Sequence, residues 1–200
     1  MPNSGSVSRD SIVTGSNASG KSTFIKALAI NSILAQTIYT CAAKEFNLRF
    51  SLIITSMAMR DNLAEGDSYF ISEIKSLKRI LDKVEDTICT CFIDEILKGT
   101  NTIERIAASA SVLKYVHYKD CLCITASHDI ELTHILNKKY DNYHFRELIT
   151  DDGIYFDYKL KEGPSQTRNA IKLLHYMNFE DEIVETAESL VENFVTTKTW

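Results

Sequence analysis

Ile12-Val13-Thr14-Gly15-Ser16-Asn17-Ala18-Ser19-Gly20-Lys21-Ser22-Thr23 is the stretch on which the fold turns. It satisfies the pattern Gly, any four residues, Gly-Lys-Ser/Thr, and it lies between a short apolar strand and a helix predicted from Lys21 to about Thr40, which is the context a phosphate-binding loop requires. Gly15 and Gly20 let the backbone turn so that successive N–H groups face a β-phosphate, with the positive end of the helix dipole behind them. Lys21 is placed to neutralise β/γ oxygens, and Ser22 to reach Mg²⁺. Gly15, Ser16, Asn17, Ala18, Ser19, Gly20, Lys21, Ser22 and Thr23 are therefore the candidate nucleotide-binding residues, with ATP and Mg²⁺ as the implied ligands.

A phosphate loop alone hydrolyses nothing. Thr87-Ile88-Cys89-Thr90-Cys91-Phe92-Ile93-Asp94-Glu95 reads as an apolar strand ending in two carboxylates, at the edge where a parallel sheet meets its ligand. Asp94 is the candidate Mg²⁺ residue with Ser22, and Glu95 the candidate that orients and polarises an attacking water. Ile124-Thr125-Ala126-Ser127-His128-Asp129 puts a histidine directly after another strand, where it can hydrogen-bond a γ-phosphate or the water. Gly66-Asp67-Ser68-Tyr69-Phe70-Ile71-Ser72-Glu73 opens a further helix, with apolar positions at Phe70, Ile74, Leu77 and Leu81. Ser68 is a good N-cap there. It is equally a second anion site that one subunit can present to the nucleotide of another.

Around these motifs, short apolar or β-branched runs (Ile12 to Thr14, Leu52 to Thr55, Thr87 to Ile93, Cys121 to Thr125) alternate with helical patterns, the mark of an α/β fold. The continuous apolar runs predict parallel strands covered on both faces. Between two of them a helix carries Ile103, Ile106, Ala107, Ala110 and Leu113 on one stripe. Tyr143 to Ile149 and Ile154 to Leu160 flank Thr150-Asp151-Asp152-Gly153 and predict a hairpin that adds antiparallel strands to the sheet. Beyond Pro164 come helices, the last with Ile183, Ala187, Leu190, Val191 and Phe194 on a stripe that either the chain's own core or another subunit would cover.

The 200 residues fit one domain, and 44% hydrophobic with 24% charged content suits a globular core. The charge of −5, from 27 acidic against 22 basic side chains, offers a polyanion no broad footprint, so poor DNA binding by this piece alone is expected. No apolar run approaches the roughly 18 residues of a membrane span, and Met1 to Arg9 lacks a signal-peptide core, so no membrane association and an intracellular location, cytoplasmic or with DNA, are expected. Cys89-x-Cys91 and Cys121-x-Cys123 lack the two-residue gap of zinc sites and read as reduced core residues. Residues 1–10 read as a leader or clipped linker before a domain at 11–200, and the chain as a fragment of a longer protein.

Together the motifs closely resemble the C-terminal ATPase domain of the MutS family of DNA mismatch-repair proteins. TGSNASGKST resembles that family's phosphate loop, AEGDSYFISEIKSLKRIL its serine-bearing signature helix, FIDEILKGTNTIERIAAS its Asp-Glu strand and following loop, and ITASHDIELT its histidine switch. GPSQTRNAIKLLHYMNFEDEIVETA resembles its closing helices, so the likeness runs from about Ile12 to Phe194. It implies an ABC-type P-loop ATPase fold, forming a homodimer or a heterodimer with two composite sites. Each site takes Lys21, Ser22, Asp94, Glu95 and His128 from one subunit and Ser68 from the other. It also implies that DNA contact belongs to upstream domains, and that Tyr158, the counterpart of an aromatic or histidine before the family's closing Gly, packs on adenine. The family more often has Pro-Asn-Met-Gly-Gly at residues 16–20 and Thr-His at residues 127 and 128. These departures suggest a divergent branch acting on mismatches, recombination intermediates or another DNA structure. A nucleotide-gated dimerisation module with little turnover and a P-loop small-molecule kinase are the rival readings.

Overall fold

A computed structural model of the chain describes residues 3, 7–16, 18–57, 69–150, 153–165 and 170–197. The β-strands are β1 (Ser11–Thr14), β2 (Leu52–Ser56), β3 (Cys89–Asp94), β4 (Cys121–Ala126), β5 (Asp141–His144), β6 (Glu147–Thr150), β7 (Gly153–Phe156) and β8 (Lys161–Glu162). The helices are α1 (Lys21–Ile38), α2 (Tyr69–Val84), α3 (Thr102–His117), α4 (Ile130–Ile135), α5 (Ala170–Tyr176) and α6 (Asp181–Thr197). The main sheet has the order β2-β3-β4-β1-β5-β8, with only β8 antiparallel to its neighbour. The expected α/β fold with a mostly parallel central sheet is present.

Alternation along each strand divides the core into two layers. Ile12, Cys91, Ile93 and Cys123 face Leu77, Ile80 and Val84 of α2, Leu113 and Val116 of α3, and Leu132 of α4. Val13, Phe92, Ile124 and Ala126 face Ile25 and Ala29 of α1. The parallel register sets Cys89 beside Cys121 and Cys91 beside Cys123, so all four cysteines join the first layer. All five cysteines of the chain are free thiols; the Cys121 hydrogen bond and then burial push the Cys91 thiol up, and burial pushes that of Cys123 up.

Three expectations need correction. Tyr143 to Ile149 is not one strand of a hairpin. Tyr143 lies in β5, paired in parallel with β1, and the chain then passes through Phe145 into β6, which pairs with β7 as a separate two-stranded sheet. The break falls where the Phe145 amide donates to the Thr14 carbonyl and its ring buries against Phe24, two contacts that hold the chain at the end of β1. The main sheet gains one antiparallel strand, β8. Ile103, assigned to the inner face of α3, is 82% exposed, and Val116 takes the buried position three residues beyond Leu113 instead. Ile74 of α2 is likewise exposed, because the inner face of the helix runs through Glu73, Leu77, Ile80 and Val84. On α6, among the described residues, Ile183, Leu190 and Val191 of the predicted stripe are exposed, Ala187 and Phe194 are half-buried, and the neighbouring Val184 is buried.

Leu113 is fully enclosed and its carbonyl accepts the Tyr140 hydroxyl at 2.9 Å. Leu113→Ala is expected to destabilise the domain by about 2–5 kcal/mol through lost burial and a residual cavity, read as a lower denaturant midpoint at unchanged slope.

Candidate nucleotide site

Parallel β1, β3 and β4 end at one edge of the sheet, so the loops that follow them meet there. At the end of β1 the backbone is left-handed at Gly15 (φ 139°), Ala18 (φ 62°) and Gly20 (φ 110°). A Cβ on Gly15 would lie 2.5 Å from the Phe145 carbonyl oxygen, so only glycine fits beneath that strand connection. Helix α1 follows Gly20 with no side-chain cap, which leaves its first-turn amides for a ligand. Ser19 Oγ donates to the Ser16 carbonyl at 2.8 Å, and Ser16 Oγ donates to Glu147 Oε2 at 2.6 Å. Thr23 lies on the exposed side of the first turn of α1.

Lys21 is the buried cation of the site, 4% exposed, its ammonium donating to the Gly15 and Ser16 carbonyls at 2.7 Å each. Desolvation lowers its pKa to about 8, against the opposing pull of Glu95, Asp94 and Glu147. Ser22 Oγ donates to Asp94 Oδ1 at 2.9 Å. A hydroxyl and a carboxylate side by side are hard oxygen donors of the kind Mg²⁺ takes. Among the described residues no group of three or more His, Cys, Asp or Glu side chains could hold a metal, so the donor set fits a cation that completes its shell with phosphate oxygens and water.

Glu95 follows β3 in a left-handed conformation (φ 60°) that turns its carboxylate between an imidazole and an ammonium. His128 Nε2 meets Oε1 at 2.7 Å and Lys98 Nζ meets Oε2 at 2.5 Å. The His128 hydrogen bond, followed by that of Lys98, outweighs desolvation and holds the Glu95 carboxyl at about 2. His128 itself is fixed by its neighbours. The Ser127 amide donates to the Val13 carbonyl at 3.1 Å, and the Asp129 amide donates to Ser127 Oγ at 3.0 Å. Arg105 grips the Asp129 carboxylate bidentately, Nε and Nη2 donating at 2.8 and 2.6 Å.

Lys21, Ser22, Asp94, Glu95 and His128 are thus brought together as the sequence led us to expect. Tyr158 (φ 51°) reaches the same place from a separate segment, its ring stacked on Phe156 and its Cδ1 3.3 Å from where a Cβ on Gly20 would stand. Asn17 and Ser68 lie outside the described residues. The sequence reading missed Lys98, Glu147 and the Arg105–Asp129 pair. Lys98 carried a local signal, standing three residues after Glu95 on the same turn. The others are common charged residues joined only by the fold.

A phosphate loop and an Asp-Glu strand end, facing one another across β4 on a parallel sheet, define a P-loop nucleotide-binding domain. The profile of MutS domain V matches residues 11–195, and the chain belongs to that family. It is 30% identical over 184 residues to the DNA mismatch repair protein MutS of Petrotoga mobilis, covering 90% of this chain and 22% of that protein. The MutS of Aquifex pyrophilus is 30% identical over 185 residues, with the same coverage of each chain. The DNA mismatch repair protein MutS 2 of Haloarcula marismortui is 29% identical over 192 residues, covering 94% of this chain and 20% of that one. The chain spans about a fifth of the length of these relatives. Among the described residues no helix is long and apolar enough to cross a membrane.

Removing Arg105 would leave the Asp129 carboxylate buried without its partner. Because the Arg105 side chain is 22% exposed, Arg105→Ala is expected to cost about 2–3 kcal/mol, below the roughly 3–5 kcal/mol for a fully buried pair. Thermal unfolding of the variant checks this, and an unchanged midpoint would remove the clamp from the account of His128.

Proposed function

We propose that this domain binds and hydrolyses Mg-ATP as the dimerising ATPase domain of a DNA mismatch-repair protein, coupling nucleotide state to DNA binding by upstream domains. One observation carries the reading: in a chain of the MutS domain V family, Lys21, the Ser22–Asp94 pair and the Glu95–His128 pair converge on one sheet edge. The names of the relatives, all DNA mismatch repair proteins, supply the biological role.

In this proposal the amides at the start of α1 receive the phosphates, and Lys21 exchanges its loop carbonyls for β/γ oxygens. Ser22 and Asp94 would hold Mg²⁺, which would supply charge to neutralise the phosphates. Glu95, ionised throughout the physiological range, orients the attacking water through the lone pairs that the His128 and Lys98 contacts leave open. With its carboxyl held near 2, Glu95 acts chiefly by position and charge rather than as a strong proton acceptor. His128 links that carboxylate to the γ-phosphate position, Tyr158 covers the loop beside Gly20 and packs on the base, and Ser68 of a second subunit completes the site. The partner is another copy or a related chain, and the protein works in the cell's interior where its DNA lies.

A second reading has support of its own. Both Glu95 oxygens are engaged as arranged, which suits a domain that binds ATP and dimerises with little turnover. Light scattering with and without Mg-ATP, beside phosphate release, separates the two. Glu95→Gln in the full-length protein is expected to lower turnover by roughly 10²-fold or more while ATP binding persists, and hydrolysis at the wild-type rate would end the proposed mechanism.

The pH dependence follows from Lys21. Phosphate favours its charged form, so above a pKa of about 8 binding must take up a proton, and affinity is full below that pH and falls above it. Mg-ATP affinity measured calorimetrically at pH 9 is expected to be about tenfold weaker than at pH 7. Equal affinities would show that Lys21 is already charged at pH 9 or is not the cation the phosphates meet, and either result ends the proton-uptake account.

A further inference from the structure

Glu73 lies in the second turn of α2 and is 4% exposed, far from the edge where Lys21 and Ser22 stand in sequence. A buried carboxylate is costly unless its oxygens are satisfied, and here both are. Oε1 accepts the Lys98 amide at 3.1 Å and Oε2 accepts the Gly99 amide at 3.0 Å. These amides belong to the turn between β3 and α3, where no helix or strand offers them a partner.

That turn needs an external tie. Glu95 (φ 60°) and Leu97 (φ 55°) are both left-handed without being glycine, which costs energy and persists only when the surroundings impose it. The turn lies tightly against α2, since a Cβ on Gly99 would sit 3.0 Å from Phe70 Cβ and 3.3 Å from Glu73 Oε2. The residue whose amide Glu73 holds is also the one whose ammonium meets Glu95 Oε2 at 2.5 Å. A continuous path therefore runs from the Glu73 carboxylate through the backbone and side chain of Lys98 to the carboxylate of Glu95.

We infer that Glu73 is a positioning residue for hydrolysis: it fixes the 96–99 turn so that Lys98 sets the Glu95 carboxylate, without touching the nucleotide. This rests on the ATPase reading for its consequence but not for its geometry. Glu73→Gln keeps the size of the side chain and replaces one acceptor by an NH₂ that faces an amide donor, so one of the two bonds is lost.

The test uses the full-length protein. For Glu73→Gln, hydrogen exchange is expected to speed up in peptides covering residues 96–100, and kcat for ATP to fall between about tenfold and a hundredfold with KM within about twofold. Because the effect passes through Lys98, the double variant Glu73→Gln/Lys98→Ala should be no slower than the slower single variant. A folded Glu73→Gln protein with wild-type kcat, a rise in KM matching the fall in kcat, or single effects that multiply in the double variant would each overturn the assignment. Should Glu73→Gln fail to fold by circular dichroism, Glu73→Asp, which retains the charge but withdraws it by one methylene, is held to the same outcomes. If the wild-type protein itself releases no phosphate, the ATPase reading fails separately. The tie is then judged by exchange alone: faster exchange confined to 96–100 supports it, and unchanged exchange overturns it.

Discussion

The buried ammonium of Lys21 is the constraint around which the site is arranged. Taking a lysine out of water disfavours its charged form, and desolvation is the largest influence on it here. The surrounding carboxylates answer that cost: Glu95, Asp94 and Glu147 all favour the charged form, while Lys98 opposes it. Two carbonyls of its own loop complete the ammonium's shell at 2.7 Å. These are the partners that a phosphate would displace, and displacement exchanges neutral dipoles for full negative charge. The same constraint explains why the loop is short of side chains near Gly15 and Gly20. Close approach of Phe145 from one side and Tyr158 from the other leaves the backbone as the lining.

The parallel sheet makes this arrangement possible at low cost. Each strand hands its following loop to the same edge, so β1, β3 and β4 deliver the lysine, the carboxylate pair and the histidine from segments more than a hundred residues apart at the extremes. The two core layers anchor those strands from both sides, through α1 on one face and α2, α3 and α4 on the other. The site's precision is therefore inherited from the registers Ile12 to Thr125 and Asp94 to Ala126 more than from the loops themselves.

This division also explains what the sequence made legible. Lys21, Ser22, Asp94, Glu95 and His128 were readable because each lies at the end of an apolar strand or on the segment that follows one, and strand ends on a parallel sheet share an edge. The strand runs were readable too, since residues buried on both faces give continuous apolar stretches. What escaped was tertiary. Glu147 and Glu73 are ordinary glutamates until the fold turns them onto a serine hydroxyl and two amides. Arg105 and Asp129 stand 24 residues apart with no periodicity to join them. The hairpin across Thr150 to Gly153 is present, but its first arm was drawn too long because β5 and β6 are separated by only two residues and read as one extended run, although they belong to different sheets. Ile103 was misplaced because it lies at the first turn of α3, where apolar spacing does not distinguish a residue over the sheet from one beyond its edge.

The turn after β3 shows how a local instability becomes a point of control. Glu95 and Leu97 pay for left-handed backbone, and Ile96 and Leu97 anchor the turn from below by burying their side chains in the core. From above, Glu73 holds the next two amides, and Asn101 caps α3 by accepting the Glu104 amide at 3.0 Å. The Glu95 carboxylate is thus positioned by groups on three elements: α2 through Glu73 and Lys98, β4 through His128, and α3 through the Arg105 grip on Asp129. The described part of α2 runs from Tyr69 and carries Glu73 on its inner face, so displacement of that helix moves the Glu73 carboxylate and, with it, the turn that sets Glu95. A carboxylate held this way responds to movement of the helix as a whole, because the tie runs through two backbone amides rather than one freely rotating side chain.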